Sequence, residues 1–343
     1  MRPGDGRLIQ QGGAVRRYVK FVALGAVSVF ALAVAWLAWA LNSRPSLEAY
    51  RRYVITGSER SGQTSGVRVV FLGVCTLLID DGETAIMTDG FFTRPGLLRL
   101  AGRIRPDQPL IARSLERLGV RSLAAVIPVH SHYDHALDSP VVAEQTGAML
   151  VGSASTANIG RGYGLPEDRI KTVIPGEPLA FGSFRVTFLE SVHSPHAFYP
   201  GDIKSPVVPP ARPGDYKVGD CYSVLIEHGG RTMLVQGSAG FVPGALQGRH
   251  ADTVFLGVAT LGKLGAAYQD AYWREVVQAT GARRIVLVHW DDFWKPLDEP
   301  LVPMPRLMDN FDNTMRFLLA RGREAGVEVR IPSAWASMDP FGS

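Results

Sequence analysis

Cysteine is scarce: the 343-residue chain has two, Cys75 and Cys221. Two thiols cannot build a disulfide framework, so a hydrophobic core has to hold the fold. Both lie in apolar runs that read as strands, which favours two buried free thiols over a single bridge. Internal repeats and low-complexity blocks are also missing, which excludes a repeat array. The bulk of the chain lacks surplus charge as well. Residues 1–20 hold Arg2, Arg7, Arg16, Arg17 and Lys20 against Asp5, that is 5 − 1 = +4, equal to the formal net charge of the whole chain. The pI of 9.1 therefore reports on this tail. The remainder is balanced and offers no basic surface for a nucleic acid.

What is present is apolar. A hydrophobic content of 46% over 343 residues suffices for one large core or two modest ones. Phe21 to Leu41 is an uncharged run of 21 residues, which as a helix spans the ~30 Å hydrocarbon core of a bilayer. It reads as a transmembrane anchor (21–41) after a basic cytoplasmic tail (1–20), with Trp36 and Trp39 at the far interface and the rest of the chain on the extracytoplasmic, periplasmic side. Ala38-Trp39-Ala40 also fits a small-x-small cleavage site, and Arg16-Arg17 a twin-arginine signal, so a cleaved, secreted form stays open. The length of the apolar run favours the uncleaved anchor. Residues 42–65 read as a polar, helical linker, and 66–343 as the globular domain.

The chemistry concentrates in Val129-His130-Ser131-His132-Tyr133-Asp134-His135, three imidazoles and a carboxylate within six residues. Leu123 to Val129 reads as a buried strand that delivers the cluster to a loop, and Ala136 to Thr146 as the helix after it. His130 and His132, two residues apart on extended backbone, can point at one cation, while Asp134 and His135 face a second position. Imidazole and carboxylate donors suit zinc, and also iron or manganese.

This stretch resembles the signature of the metallo-β-lactamase superfamily. The opening strand–turn–strand, Val67 to Asp80 and then Thr84 to Thr88 around Asp81-Gly82, ends in Asp89-Gly90. It is similar to the branch of N-acyl phosphatidylethanolamine phospholipase D and ascorbate-6-phosphate lactonase. The resemblance implies an α/β fold, a four-layer αβ/βα sandwich of two mixed sheets, here preceded by the transmembrane helix. It implies that Asp89 supports the metal loop by hydrogen bonding. It implies His193, after the strand Phe184 to Ser191, as the third ligand of the first metal, which leaves His196 facing substrate, supporting a ligand, or exposed on the loop. His289, ending the pure strand pattern Arg284 to Val288, would complete the second metal, with Trp290, Asp291, Asp292 and Lys295 at the pocket edge. Gly237-Ser238-Ala239-Gly240 departs from the majority Gly-Asp-x-Gly, so Ser238 stands where a carboxylate bridges the metals, and one or two divalent ions remain open.

Ala197 to Lys217 lacks helix or strand periodicity and is expected to be a lid carrying Tyr199, Asp202 and Lys204. His228 is expected exposed at a hairpin turn, and His250 has no role. The activity implied is hydrolysis by hydroxide made from metal-coordinated water, with Asp134 orienting it. The membrane anchor and the aromatic, proline-rich lid make a small-molecule phosphodiester or ester, lipid-like or envelope-derived, the expected substrate. Two alternatives stay open: a β-lactam or lactone hydrolase with a serine-variant site, and a membrane-tethered binding protein that has lost turnover. Oligomeric state is not legible.

Overall fold

Short apolar runs pair into two sheets in the computed structural model, which describes residues 6–57 and 66–342. Helix α1 (Gly6–Asn42) leads through a 3-10 turn, Leu47–Tyr53, to β1 (Val54–Ile55). Then follow β2 (Arg68–Phe71), β3 (Leu77–Asp80), β4 (Ala85–Thr88), α2 (Gln108–Leu118), β5 (Ala125–Ile127), α3 (Tyr133–Ala136), α4 (Ser139–Thr146), β6 (Met149–Gly152), α5 (Ala154–Tyr163) and β7 (Ile170–Thr172). The second half holds β8 (Pro178–Phe181), β9 (Phe184–Ser191), β10 (Cys221–His228), β11 (Arg231–Gln236), β12 (Thr253–Gly257), α6 (Ala266–Tyr272), β13 (Arg284–Val288), α7 (Phe311–Ala325), β14 (Glu328–Pro332) and β15 (Ser337–Met338).

The sheets have the orders β1-β14-β13-β12-β11-β10-β9-β8 and β15-β2-β3-β4-β5-β6-β7. Both are mixed: β11 to β14 run parallel, as do β4 to β7, and β8 to β11, β2 to β4 and the β15–β2 pair are antiparallel. Strand β13 is buried at every residue between two parallel neighbours, which is why its sequence is continuously apolar rather than alternating. Helices α4 and α5 cover one sheet and α7 the other, and one contiguous apolar cluster joins the layers. Helix α7 is capped by the Asn310 side chain accepting from the Asn313 amide and ends at Gly326 in the left-handed region. Cys75 and Cys221 are buried free thiols.

Several boundaries differ from the sequence reading. Val67 to Asp80 is two strands, because Gly73 (φ 83°) and Val74 (φ 50°) turn the chain between β2 and β3. The helix expected over Ala136 to Thr146 begins only at Ser139, as α4 with Pro140 in its first turn, and the short α3 precedes it. The closing helix, expected from the amphipathic pattern over Leu307 to Ala325, begins at Phe311. Strands β1, β8 and β15 are too short, at two to four residues, to carry a period.

The linker is the largest difference. Residues 58–65 lie outside the described part, but β1 pairs in parallel with β14, so the eight-stranded sheet starts before residue 66. The chain is fixed to the domain still earlier: the Arg306 amide donates to the Ser43 carbonyl at 2.8 Å, and Arg44 Nη2 meets Asp292 Oδ2 at 2.6 Å. Above this foot, α1 is one helix long and apolar enough to cross a membrane, with a window of mean hydropathy 2.4 and none of that window buried.

Asp292 is 2% exposed, so removing its partner leaves a carboxylate without its charged donor. Arg44→Met in the full chain is therefore expected to cost about 2 kcal/mol of domain stability in urea denaturation. An unchanged midpoint would show that the ion pair contributes nothing.

Candidate metal centre

The candidate ligands and their supporting aspartate follow the C-terminal ends of strands by one to three residues: Asp89, the support, after β4, His130 after β5, His193 after β9 and His289 after β13. A ladder fixes the backbone up to its last pair, so a side chain placed just beyond it is held accurately. The loop after β5 is tied down further. Asp89 Oδ1 accepts from the Val129 amide at 3.0 Å, and Asp89 Oδ2 faces His135 Nδ1 at 2.6 Å. Asp89 (φ 53°) and His289 (φ 56°) both lie in the left-handed region, and the His289 amide donates to the Val74 carbonyl at 2.6 Å. Non-glycine residues keep that conformation only where surrounding bonds impose it.

These ends bring the side chains into two adjoining groups, His130, His132 and His193, and Asp134, His135 and His289. In each, the donor atoms lie within 4.8 Å of one another. His130 Nε2 and His132 Nδ1 are 3.2 Å apart, and Asp134 Oδ2 is 3.3 Å from His289 Nε2 and 3.8 Å from His135 Nε2. The His130 and His135 rings, one from each group, have centroids 3.9 Å apart. A third grouping, Cys75, Asp89 and His135, is the support of the second: Asp89 holds His135, and the Cys75 thiol donates to the Gly237 carbonyl at 3.3 Å.

The arrangement fits divalent cations on its own chemistry. His193 Nδ1 faces the Ser194 carbonyl at 3.0 Å, and a carbonyl only accepts, so Nδ1 carries the proton and Nε2 keeps a lone pair. Asp89 imposes the same tautomer on His135, whose Nε2 is buried without a hydrogen-bond partner, as are one ring nitrogen of His132 and one of His289. Orphaned buried nitrogens are rare and call for an occupant. Burial and the neighbouring rings lower the pKa of His130 well below its usual value, and burial with His132 brings His193 to about 4. The rings of His130, His132 and His193 are thus neutral and ready to donate to a cation. Burial opposes the charge on Asp134, but His135 and His289 outweigh it and hold the carboxyl below the usual range.

The family profile described as the beta-lactamase superfamily domain matches residues 84–290. The chain belongs to the metallo-β-lactamase superfamily. It is 24% identical over 128 residues to a metal-dependent hydrolase of Rhizobium leguminosarum bv. trifolii, covering 37% of this chain and 48% of that one. It is 29% identical over 116 residues to a metal-dependent hydrolase of Myxococcus xanthus, covering 34% and 40%. The chain thus spans about half the length of the curated relatives it matches. Among solved structures, the metallo-beta-lactamase fold protein YhfI from Bacillus subtilis aligns with a TM-score of 0.49 at 15% identity, over 79% of this chain and 99% of that one.

Other residues of this superfamily member sit where the sequence could not place them. Ser238, at the bridging position of the majority pattern, accepts from the Ser194 amide at 2.9 Å and so anchors the turn that carries His193. Tyr199 lies beside the first group, its ring 6.5 Å from that of His132, while His196 is exposed. Asp202 and Lys204 line a surface groove of about 390 Å³ with Arg103 and Lys217, not the metal groups. Trp290 and Asp291 are not at the pocket edge. Trp290 is buried against Phe311, and Asp291 is fully buried, accepting from the Val74 amide and from Arg94, so neither can meet a substrate. Asp292 pairs with Arg44, and Lys295 with Glu299 at 3.8 Å. His228 is not exposed at its turn; it is largely buried, with Nε2 2.9 Å from Asp81. The wall beside the second group is aromatic, Tyr133, Phe293 and Trp294, with Phe293 5.5 Å from His289. Arg94 and this wall carry no local pattern that a sequence reading could have found.

Two outcomes follow. Asp89→Asn removes the charged acceptor that orients His135, and metal affinity measured by chelator competition should fall about 10–100-fold. In metal-free protein, His193 binds its proton near pH 4, whereas the unfolded ring binds near about 6.5. The unfolded state therefore holds more protons across that window, and stability falls as pH drops through it. His135 opposes this: burial lowers its pKa, but Asp89 and Asp134 raise it more, so its contribution is lost as pH rises. His193→Gln should flatten the acid limb of urea stability against pH, and an unaltered slope would mean that the ring titrates alike in both states.

Proposed function

We propose that the chain is a membrane-anchored, metal-dependent hydrolase whose domain lies on the extracytoplasmic side and which cleaves a phosphodiester or ester of lipid-like or envelope-derived character. The observation that carries the reading is the meeting of two three-donor groups where strand ends of the two sheets come together, five imidazoles with a single carboxylate. The names of the Rhizobium and Myxococcus relatives, both metal-dependent hydrolases, support it.

His130, His132 and His193 would hold one cation, and Asp134, His135 and His289 a second, with zinc the best match to imidazole-rich donors. Such ions, when bound, lower the pKa of a coordinated water from 15.7 toward about 7 and polarise the scissile oxygen. The residues then have separate tasks. Asp134 has an oxygen free to orient water and to move its proton toward the leaving group. Asp89 keeps the His135 tautomer, and Tyr133, Phe293 and Trp294 exclude water from one side of the pocket. With Ser238 in place of an aspartate, the donor set carries one negative charge fewer than the majority pattern, which favours an anionic substrate such as a phosphodiester. The opening hairpin with Thr88-Asp89-Gly90 points the same way, toward the phospholipase and lactonase branch.

The test is a panel of phosphodiesters, carboxylic esters, lactones and β-lactams on the full chain loaded with zinc, manganese or iron. About two equivalents of metal and turnover of a phosphodiester or ester are expected. His132→Ala should lower that turnover about 10²–10⁴-fold, the rate equivalent of several kcal/mol. No bound metal, or turnover indifferent to His132→Ala, would leave a tethered binding protein as the better description, and turnover of β-lactams alone would move the substrate class.

A further inference from the structure

The dipeptide after Trp290 joins two surface features. Arg44, two residues past the end of α1, pairs with Asp292, and Arg94, at the root of the 91–105 loop, pairs with Asp291 and donates to the Asp292 carbonyl. The loop and the foot of α1 therefore rest on neighbouring residues. Two residues of chain span at most about 7 Å, so α1 leaves the domain beside this loop.

The loop then presents an unusual tip. Leu97 is 39% exposed and Leu98 92% exposed, the most exposed of the large apolar side chains among the described residues. Arg99, Arg103 and Arg105 follow, exposed and without a carboxylate partner among the described residues. Leu307, also 39% exposed, adjoins Arg306, whose amide donates to the Ser43 carbonyl at the same foot. Water is a poor environment for Leu98, and the exposed guanidiniums that follow it in the chain, Arg103 held on the Pro210 carbonyl at 3.0 Å and none on a carboxylate among the described residues, suit phosphate oxygens. Apolar side chains flanked by arginines are the chemistry that enters a headgroup layer.

We propose that Leu97, Leu98 and Leu307, with Arg99, Arg103 and Arg105, dock on the anionic phospholipid surface of the bilayer that α1 enters. The mouth of the metal centre is then held against the membrane and draws its substrate from the lipid interface. This rests on α1 being a retained membrane anchor and deepens the proposed hydrolase reading by naming where the substrate is met.

The experiment needs no turnover, so its failure is separable from failure of the hydrolase reading. The full chain, with Cys75 and Cys221 buried and unlabelled, carries a fluorophore on Leu98→Cys, Phe30→Cys or Glu83→Cys. The last lies in the exposed turn before β4, at the opposite end from Asp89. Each is reconstituted in vesicles of phosphatidylcholine alone or mixed equally with phosphatidylglycerol, with spin-labelled lipid as quencher. Phe30 should be strongly quenched in both, Glu83 in neither, and Leu98 several-fold more than Glu83, most in the anionic vesicles. Each of Arg99→Ser and Arg103→Ser should lower the docked-to-undocked ratio about fivefold. A Leu98 probe no more quenched than Glu83 overturns the docking even if Phe30 is in lipid, and an unquenched Phe30 overturns the anchor on which it rests.

Discussion

Imidazoles packed ring against ring in a buried pocket cannot share one protonation state with water. Burial disfavours each charged ring, and every neighbour that takes a proton disfavours the next, so His130, His132 and His193 are driven to their neutral forms with lone pairs turned toward common points. That arrangement is unfavourable without a cation, because buried donors and acceptors lack partners. The rest of the fold can be understood as the scaffold that enforces it. Strand ladders fix where each ring begins, and Asp89 and the Ser194 carbonyl fix which nitrogen carries the proton.

Neither sheet holds the site alone. The seven-stranded sheet supplies Asp89 and the 130–135 loop, and the eight-stranded sheet supplies His193 and His289. The close approach of the halves explains the glycines around Ser238. A Cβ at Gly237 would lie 2.2 Å from Val129, and one at Gly240 would lie 2.1 Å from the Val192 carbonyl and 2.6 Å from the His193 backbone. Only hydrogen fits at either place, so this turn seats the metal loop and the His193 turn through the absence of side chains. Gln236 completes the turn, donating to the Ser238 and Gly240 carbonyls.

The same edge carries the connection to α1. Arg94 and Asp291 are both fully buried, a pair whose separation would strand a charge in the interior, so the 91–105 loop is firmly bound to the strand end that bears His289. Arg44 adds the foot of α1 to the neighbouring carboxylate. A stretch that looked like a free linker is thereby part of the domain, and the helix above it starts from that anchored foot.

Local chemistry was enough for some of this. Three imidazoles and a carboxylate in six residues, strand ends delivering His193 and His289, and a 21-residue apolar run are patterns that neighbouring residues complete among themselves. They determined the sheet-and-helix class, the ligand candidates and the apolar helix. Tertiary structure decided what depends on partners far along the chain. Arg44 and Asp292 are 248 residues apart, Arg94 and Asp291 197, and Ser194 and Ser238 44. Trp290 and Asp291 looked like pocket residues by proximity to His289, yet the left-handed turn at His289 sends both into the interior. Periodicity registers which face of an element is apolar, but the energy of a buried ion pair or a glycine contact is set by whatever the fold brings opposite, and a single sequence does not record that.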